Sequence, residues 1–341
     1  MQPNNLTALD FNDIKESIKA YLRTRTEFSD YDFQGSSLSY MIDILAYNTY
    51  YTAFNANMAV NEAFLTSATV RDNIVNIAKL LNYVPRSPIS ATLCAGITIQ
   101  TAAVDGVFPS TATINKGAAG VGGSFVWNRL SDLTVEVDPS TGIADFGSVK
   151  FREGNIVKFS YVVNTFQNQT YKIPSSQADL TTLIVKVKPN EASTTSDTYV
   201  QVDNVTGLTS TSRVYFLSEG EDMRYELKFG DDSIGRSLKD GEVIELEYLV
   251  TQDDSANEVN EFNFNGRITD SNGSAYSASR ALIGSIMTGY GGTAPESIES
   301  IKYNAPRYYS AQYRAVTAQD YAILTKKVYD NARSVVAYGG D

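Results

Sequence analysis

Histidine is absent from the 341 residues of this sequence, and cysteine occurs only once. Without histidine, the chain lacks the usual general base of serine and cysteine hydrolases and the commonest zinc ligand. A single cysteine, Cys94, cannot form an intrachain disulfide or build a cysteine metal cluster. It lies in the run ATLCAGITIQ, where we predict a small apolar residue buried in a strand. We predict no metal site, no cofactor and no catalytic residue.

Long apolar runs and clusters of positive charge are also missing. No run of about 18 uncharged apolar residues occurs, so the sequence does not predict a membrane-spanning helix. The N-terminus has neither the basic start nor the apolar stretch of a secretory signal. The net charge is -11 and no run of Lys and Arg stands out, which argues against a general nucleic-acid binder.

Tyrosine, by contrast, is abundant, with 22 tyrosines against one tryptophan. Tyrosine combines apolar area with a polar tip and is favoured where protein surfaces meet. Two interpretations stay open at this point. The tyrosines pack in ordinary cores and strands, or an unusual share of them lies at subunit contacts.

Residues 1–88 are predicted to form a helical segment. Apolar residues recur at helical spacing in FNDIKESIKAYL, residues 11–22. A second helix is expected to start at Ser36 or Ser37, whose hydroxyl can cap the unpaired amides of the first turn. A third helix is expected over residues 61–81.

The second predicted helix carries large apolar side chains over more than one stripe. They are Leu38, Met41, Ile42, Leu45, Tyr47, Tyr50, Tyr51 and Phe54. A helix that is apolar nearly all round must be buried on several sides, which three helices cannot easily achieve alone. We therefore predict that these residues bind a partner in a helix bundle. The alternative is that they pack against the protein's own β domain.

Residues 89–288 show the pattern of one or more β-rich domains. Short runs such as NIVKFSYVV and TLIVKVKP are rich in β-branched and aromatic residues and are separated by turn-forming residues. Together with the helical segment before it and a small α/β domain after it, this pattern predicts an α+β multidomain fold. We find no internal repeat of the length that a solenoid requires.

Residues 289–341 are interpreted as the start of a small α/β domain. A helix is expected over VTAQDYAILTKKVYD, with Thr317 as N-cap and Asp320 near the positive end of the helix dipole. Its apolar face, formed by Tyr321, Leu324 and Val328, is expected to pack on a small sheet. RSVVAYGGD should begin a strand, which we expect to be paired elsewhere or continued beyond the end of the chain.

The stretch YELKFGDDSIGRSLKDGEVIELEYLVT, residues 225–251, could be a phosphate loop, a metal-binding loop or a turn. A P-loop needs Lys and Ser or Thr after its glycines, whereas Asp231 and Arg236 follow the glycines here. A calcium loop needs alternating oxygen ligands, whereas Asp231 and Asp232 are adjacent. Two acids in a turn are also too common to indicate glycoside hydrolysis. We interpret the stretch as a turn in which glycines supply unusual backbone angles.

This stretch resembles the signature of the baseplate J-like proteins of contractile phage tails. In that family Phe-Gly-Asp-Gly, a Gly-Arg pair and a Gly-led strand ending in Tyr-x-Val-Thr recur. The matching residues here are Phe229, Gly230, Asp231, Gly235, Arg236, Gly241, Tyr248, Val250 and Thr251. Asp232 stands where the pattern often has glycine, and TQDDSANEV keeps only Asn257 of the Gly-x-x-Gly-Asn segment that often follows.

Two further segments are similar to the same family. GGTAPES and RAVTAQDY resemble its C-terminal segment with Ala-Pro-Glu-Ser and Arg-Ala-Val-Thr-x-x-Asp-Tyr. The helical N-terminus resembles the longer wedge subunit of T-even-type baseplates, and the type VI secretion baseplate holds a related subunit. Wedge subunits of this class are commonly much longer than this chain.

The resemblance implies a non-enzymatic structural component of a baseplate wedge, assembled in the host cytoplasm and located in the virion. The implied partners are a second copy of the subunit, other wedge proteins, and the tail hub and sheath. The N-terminal helices are expected to bundle, and the wedges to join into a ring around the hub. The ring is expected to transmit the rearrangement that triggers sheath contraction. The resemblance also implies that residues 289–341 begin a dimerisation domain. Contact with the second copy is expected there at Arg314, Thr317, Asp320 and Tyr321.

Two rival functions stay open. The first is a β-rich receptor- or glycan-binding tail module with a helical oligomerisation stalk, which would need a cluster of exposed aromatic residues on the β domain. The second is a tail enzyme such as a glycan hydrolase, which would need a cleft with two acids at hydrolase spacing.

Overall fold

The structure, a computed structural model, describes residues 10–28, 31–33, 35–167, 170–329, 332 and 334–338. In these ranges, five α-helices and seventeen β-strands form an N-terminal helical segment, a large β-rich body and two C-terminal helices. The predicted α+β fold class is thereby confirmed. The first nine residues of the predicted helical segment lie outside the described residues.

Two helices form the N-terminal helical segment. Helix α1 (Phe11–Arg23) begins after Asp10, whose Oδ1 accepts a hydrogen bond from the amide of Asn12 at 2.7 Å. Helix α2 (Ser37–Glu62) packs on α1 and is tied to it by the ion pair of Lys15 and Asp43, 2.5 Å long. The N-cap of α2 is Ser36, but its hydroxyl makes no capping hydrogen bond, so the expected role of that hydroxyl is wrong.

The single helix expected over residues 61–81 is also wrong. Helix α2 ends at Glu62, a turn follows, and helix α3 spans Arg71–Leu80. The Glu62 carboxylate accepts hydrogen bonds from the amides of Thr69 and Val70 at 2.8 and 3.2 Å. It also accepts from the Asn73 side chain at 2.9 Å. Through these hydrogen bonds Glu62 joins the start of α3 to the end of α2. They could not form in a continuous helix.

The β-rich body contains three sheets. The six-stranded sheet has the order β14-β3-β4-β6-β1-β17 and consists of β1 (Thr92–Gln100), β3 (Gly117–Gly122), β4 (Phe125–Arg129), β6 (Ile143–Glu153), β14 (Asn263–Phe264) and β17 (Ala281–Tyr290). The four-stranded sheet has the order β16-β15-β2-β5 and consists of β2 (Thr111–Ile114), β5 (Leu133–Glu136), β15 (Ile268–Asp270) and β16 (Ala275–Tyr276). These two sheets enclose one core around Leu93, Trp127 and Phe151. Cys94 is buried in β1, as predicted.

The third sheet has seven strands in the order β7-β13-β9-β10-β11-β12-β8. They are β7 (Asn155–Val162), β8 (Tyr171–Lys172), β9 (Ala178–Lys188), β10 (Asp197–Gln201), β11 (Val214–Glu219), β12 (Tyr225–Phe229) and β13 (Val243–Val250). Its core is built around Tyr225, Leu227, Ile244 and Tyr248. Asp179 of β9 binds Arg152 of β6 at 2.7 Å, which joins this sheet to the six-stranded one.

The two C-terminal helices pack with α3. Helices α4 (Ile298–Ala311) and α5 (Ala318–Val328) share a third core with it, made of Ala68, Ile74, Val75, Ala78, Tyr83, Ile301, Ala305, Tyr308 and Ile323. The expectation that α5 packs on a small sheet is wrong, because its contacts are with α4 and this helical core. Residues 334–338 form no strand, and 333 and 339–341 of the expected strand lie outside the described residues.

Buried polar side chains connect the helical core to the β-rich body. Arg71 at the start of α3 binds Glu219 of β11, with Nε 2.8 Å from Oε1, and donates to the backbone carbonyl of Glu296 at 2.5 Å. The hydroxyl of Tyr83 donates to the Glu296 carboxylate at 2.9 Å. Buried charges need such partners, so removal of α3 would leave Glu219 buried and unpaired.

Candidate interaction surfaces

Helix α2 is covered by the rest of the chain over only part of its length. Its 26 residues extend over about 39 Å. Ile42 and Ala46 are its only buried residues, and both lie in the half that α1 covers. From Tyr47 to Ala59, every side chain is exposed except those of Ala53 and Asn57, which are half-buried. In the isolated chain, the second half of α2 therefore has little tertiary packing.

The exposed apolar side chains of α2 follow a heptad repeat. Six of them, at spacings of four, three, four, three and four, are Tyr40, Ile44, Tyr47, Tyr51, Phe54 and Met58, all exposed. Side chains at these spacings align along one helix face, which is the pattern of a coiled-coil seam. We call this face the heptad stripe. The rings of Tyr47 and Tyr51 lie against each other, with centroids 4.6 Å apart.

From Ile44 onward, the heptad stripe lies in a stretch of α2 without charged side chains. Between Asp43 and Glu62 the sequence has no Asp, Glu, Lys or Arg. The hydroxyls of Thr49 and Thr52 donate to the carbonyls of Leu45 and Asn48, each at 2.8 Å, so their polar groups are already satisfied. A helix surface without charged side chains avoids the large desolvation cost of burying ions. Among the described residues, no helix combines the length and apolar character that crossing a bilayer requires.

The structure divides the eight predicted bundle residues into two groups. Ile42 is buried against α1 and Leu38 is half-buried. The other six are exposed, and they are Met41, Leu45, Tyr47, Tyr50, Tyr51 and Phe54. Sequence reasoning missed Tyr40, Ile44 and Met58 of the heptad stripe. Counting steps of three and four from Tyr47 and Phe54 would have found them.

The motif at Gly230 to Gly235 is a loop between strands that do not pair with each other. Strand β12 pairs with β11 and β8, whereas β13 pairs with β7 and β9. The two flanking strands are present as predicted, but each pairs with other strands of the sheet. The loop crosses the sheet instead. The Phe229 ring at its start packs edge-on against Tyr171 and Tyr199, 5.8 and 5.4 Å between centroids.

Two glycines in this loop have different constraints. Gly235 has a φ of 81°, a left-handed backbone that favours glycine. Gly230 has no such φ, contrary to our expectation, but a Cβ there would lie 2.2 Å from the Gly235 carbonyl carbon. Close backbone approach therefore requires glycine at 230.

The two acids of the loop bind the loop's own donors. Asp231 accepts from the amides of Ser233 and Ile234 at 3.0 and 2.9 Å. These hydrogen bonds lower the pKa of the Asp231 carboxyl. Asp232 accepts from the amide and hydroxyl of Ser237 at 2.8 and 2.6 Å, which lowers its pKa as well.

Arg236 closes the motif on the sheet side. Its guanidinium pairs with Glu242, and its Nη1 lies 2.5 Å from the hydroxyl of Tyr199. Donation of hydrogen bonds to the Glu242 carboxylate raises the pKa of Arg236 further above its already high ordinary value. Within the described ranges, no group of three or more Asp, Glu or Cys side chains is placed to hold a metal ion. The motif's side chains are thus engaged in internal contacts.

Helix α5 begins as the sequence predicts. The Thr317 hydroxyl accepts from the amide of Asp320 at 3.2 Å, and Asp320 accepts in return from the amide of Thr317 at 2.8 Å. The expected buried face of α5 is wrong, however. Ile323 is buried and Leu324 half-buried, whereas Tyr321 is 54% and Val328 86% exposed.

The four residues predicted to contact a second copy differ in what they offer a partner. Thr317 and Asp320 bind each other. The side chain of Arg314 is exposed and donates only to Gln312, at 3.0 Å. Tyr321 is exposed on α5, and Tyr303 on α4 is exposed as well. Arg314 and Tyr321 are the exposed members of the four that do not take part in the capping of α5.

Comparison with known proteins identifies two similarities, one over the N-terminal helices and one over most of the chain. Residues 10–83, which contain α1, α2 and α3, match the family described as baseplate wedge protein gp6-like, helical domain. Over 338 residues the chain is 25% identical to baseplate wedge protein gp6 of Enterobacteria phage T4. That match covers 91% of this chain and 48% of the relative, so the chain spans about half the length of the curated relative it matches.

The resemblance to the baseplate J-like family is not addressed by either match and stays a prediction. The match over α1 to α3 and the match over most of the chain agree with each other, because both are to baseplate wedge proteins. Together they support a wedge subunit with a structural role in a viral tail baseplate.

Proposed function

We propose that this protein is a structural subunit of a contractile-tail baseplate wedge, located in the tail baseplate of the virion. The observation that carries the proposal is the heptad stripe, six exposed apolar side chains in register on one face of α2. The similarity to a baseplate wedge protein supplies the assembly in which such a stripe would be covered.

The stripe binds helices of other wedge proteins in a bundle. Isolated helices shorter than about 12–15 residues are marginal in water, and the uncovered half of α2 is of that length. Fully burying a large apolar side chain contributes about 1.5–3 kcal/mol, so covering the stripe stabilises both the helix and the complex. The predicted bundle residues Met41 and Tyr50 lie beside the stripe and contact the same helices, whereas Leu45 lies on the opposite side of α2, one turn before Thr49.

The C-terminal helices contact a second copy of the subunit, through Arg314 and Tyr321. Thr317 and Asp320 shape this contact by fixing the start of α5. Through these contacts the wedges join into a ring around the tail hub, and the ring transmits the rearrangement that triggers sheath contraction. The ring, the hub and the sheath contacts follow from the resemblance to wedge subunits and are proposals.

The rival function as a glycan- or receptor-binding module has less support. In the described part of residues 89–288, Phe159 and Phe166 are the exposed aromatic side chains. The described part of residues 1–88 alone exposes eight aromatic side chains, which are Tyr21, Tyr31, Tyr40, Tyr47, Tyr50, Tyr51, Phe54 and Phe64. Aromatic surface is thus concentrated where a helix bundle would form. The acid pair Asp231 and Asp232 binds its own loop, which gives no support to a hydrolase.

The proposed function is tested in virus particles that lack the natural protein and receive a tagged copy. We expect the full chain to restore complete tails, with the tag seen by electron microscopy at the baseplate. A chain without residues 1–60 should fold but should not be incorporated. A tag located on fibres or at the capsid, or normal incorporation of the shortened chain, would contradict the proposal.

A further inference from the structure

Strand β17 (Ala281–Tyr290) forms one edge of the six-stranded sheet, next to β1. Its C-terminal end is covered, because the amide of Gly289 donates to the carbonyl of Val259 at 2.7 Å and its carbonyl accepts from the amide of Glu258 at 2.8 Å. From Ala281 to Thr288, the backbone pairs with no described segment other than β1. An edge strand leaves alternate N–H and C=O groups unpaired, and these groups are a template for another strand.

The other sheet edges carry the features that usually prevent strand addition. Strands β8, β14 and β16 have two residues each, β5 has four residues and ends at Glu136, and β7 carries Lys158. Short length and edge charge both discourage the addition of a strand. Strand β17 has ten residues, ALIGSIMTGY, and none of them is charged. It is thus the one long and uncharged sheet edge among the described strands.

Large apolar side chains are exposed along this edge. Leu282 is 73% and Met287 is 55% exposed, and Ile283 is exposed as well. Leu282 lies opposite Thr98 of β1, and Met287 lies opposite Cys94. Thr98 and Cys94 are four residues apart and therefore point to the same face of the sheet. Leu282 and Met287 consequently share that face too, although five positions separate them.

A β-bulge at the centre of the free edge explains this spacing. Gly284 and Ser285 together oppose the single residue Gly96 of β1. They are also the middle pair of the free stretch Ala281–Thr288, which ends where the cover over Gly289 begins. The bulge interrupts regular pairing at this point, so an added strand would form a short ladder on each side of it. The centre of the free edge thus carries the two smallest side chains between larger ones.

We propose that β17 pairs antiparallel with β17 of a second copy of this chain, about a two-fold axis between Gly284 and Ser285. This arrangement joins the two six-stranded sheets into one continuous sheet. It places Leu282 opposite Met287 of the second copy, and Ile283 opposite Ile286 of the second copy.

The free edge is complementary to itself, which a two-fold contact requires. Reversal of its sequence matches large apolar side chains with large ones and brings the small residues together at the axis. No charged side chain meets its own copy, so the like-charge repulsion that opposes self-pairing is absent. The inference goes beyond the proposed function, because it concerns two isolated chains and uses neither the heptad stripe nor the C-terminal helices.

The test is disulfide cross-linking between full-length chains that carry Cys94→Ala and one introduced cysteine. Directly opposed residues of an antiparallel pair have Cα atoms about 4.5–5.5 Å apart, a distance that a disulfide spans. On mild oxidation, a mixture of the Leu282→Cys and Met287→Cys chains should give at least about ten times more cross-linked dimer than either chain alone. In either chain alone, the two cysteines of a dimer would be about 13 Å apart, which is too far. Val162→Cys, on the charged edge strand β7 and 63% exposed, measures cross-linking by random collision.

A charge added to the edge tests the contact with the same readout. Ile283→Lys in both cysteine chains should lower the yield of the mixture at least about tenfold, because it puts two unpaired charges into the ladder. Val162→Lys is the matched control and should leave the yield unchanged. Melting temperatures confirm that each variant is folded.

Three results would overturn the proposal. The first is a mixture that cross-links no more than the Val162→Cys chain. The second is equal cross-linking by the mixture and by either single chain, which excludes the antiparallel register. The third is an equal yield with Ile283→Lys and with Val162→Lys. Cross-linking uses isolated chains, whereas incorporation into virus particles tests the baseplate role, so either idea can fail without the other.

Discussion

Strand β1 and helix α2 place similar apolar side chains in opposite environments. In β1, Leu93, Ile97 and Ile99 point into a closed core between two sheets. In α2, Ile44 and Met58 belong to a stripe that faces solvent along the length of the helix. Strand β1 buries these apolar side chains within one chain, whereas α2 carries apolar side chains that the described part of the chain does not bury. The difference separates a strand whose packing is complete within the chain from a helix for which we propose a partner.

The outward surfaces of the two regions also differ in charge: strand β13 carries charged side chains, and the middle of α2 carries none. On β13, Glu245 pairs with Lys188 at 2.6 Å, and Glu247 pairs with Lys158 at 3.5 Å. Such cross-strand pairs keep a surface hydrated and discourage association. The stretch of α2 between Asp43 and Glu62 has no charged side chain. The outward surface of β13 is therefore charged, whereas the surface of α2 that we propose to bind a partner is not.

The largest expected effect is the difference in stability between two N-terminal deletions that end on either side of α3. Deletion of residues 1–60 should leave the melting temperature of the body nearly unchanged, because α1 and α2 contribute nothing to its three cores. Deletion of residues 1–85 removes Ile74, Val75 and Tyr83 from the helical core and should lower the free energy of unfolding by more than about 5 kcal/mol. Calorimetry of the two shortened chains checks this. Equal stability would show that α3 is not part of the body.

A second change tests how tightly the body is packed. Gly230→Val should destabilise the chain by about 4 kcal/mol, because the new Cβ would overlap the backbone of Gly235. Gly35→Val is the control, since no atom lies within 4 Å of a Cβ at that position. Urea unfolding of both variants measures the difference. A Gly230 variant as stable as the control would contradict the close approach of the two glycines.

Two isoleucines on the same helix compare buried and exposed apolar surface directly. Ile42 is 1% exposed and Ile44 is 67% exposed. Ile42→Ala should weaken the packing of α1 on α2 by about 3 kcal/mol, seen as faster amide hydrogen exchange in both helices. Ile44→Ala should leave exchange in the isolated chain unchanged. If both substitutions accelerate exchange equally, Ile44 is packed in solution and the heptad stripe is not exposed.

The smallest expected effect concerns the junction between α2 and the body. Hydrogen bonds from Asn73 and Thr69 lower the pKa of Glu62 to about 2. A carboxyl with a lowered pKa stabilises the fold above its ordinary pKa and loses that effect as the pH falls. Its contribution should be below about 1 kcal/mol because solvent reaches the group.

Thermal unfolding of Glu62→Gln and the natural chain from pH 6 to pH 3 measures this contribution. The difference in melting temperature should be largest at pH 6 and should shrink below pH 4.5 towards the pKa of about 2. A difference that stays constant with pH would mean that the charge of Glu62 is not what holds the start of α3.

The sequence predicts best what depends on neighbouring residues. The start of α5 is correct because Thr317 and Asp320 lie three residues apart and bind each other. The turn before α3 was missed because Glu62 reaches forward seven and eight residues to Thr69 and Val70.

Contacts that are not local account for what the sequence did not predict. Nothing local in the alternating runs of β12 and β13 shows that each pairs with other strands. The constraint on Gly230 was assigned to its own φ, whereas it comes from contact with Gly235. The heptad stripe depends only on spacing along α2. Three of its members were missed because apolar residues on nearly every side of the helix hid the repeat.

The central claim, that the heptad stripe binds partner helices, is tested by two double variants with the same spacing on opposite faces of α2. Tyr47→Glu with Phe54→Glu places charges in the stripe, and Thr49→Glu with Ala56→Glu places them on the exposed opposite side. Each chain is co-expressed with the other wedge proteins of its particle, and the complex is quantified by mass photometry. We expect the stripe variant to lose at least about tenfold in complex formation and the control to assemble normally, with equal melting temperatures for the two isolated chains. Equal assembly of both variants would contradict the claim.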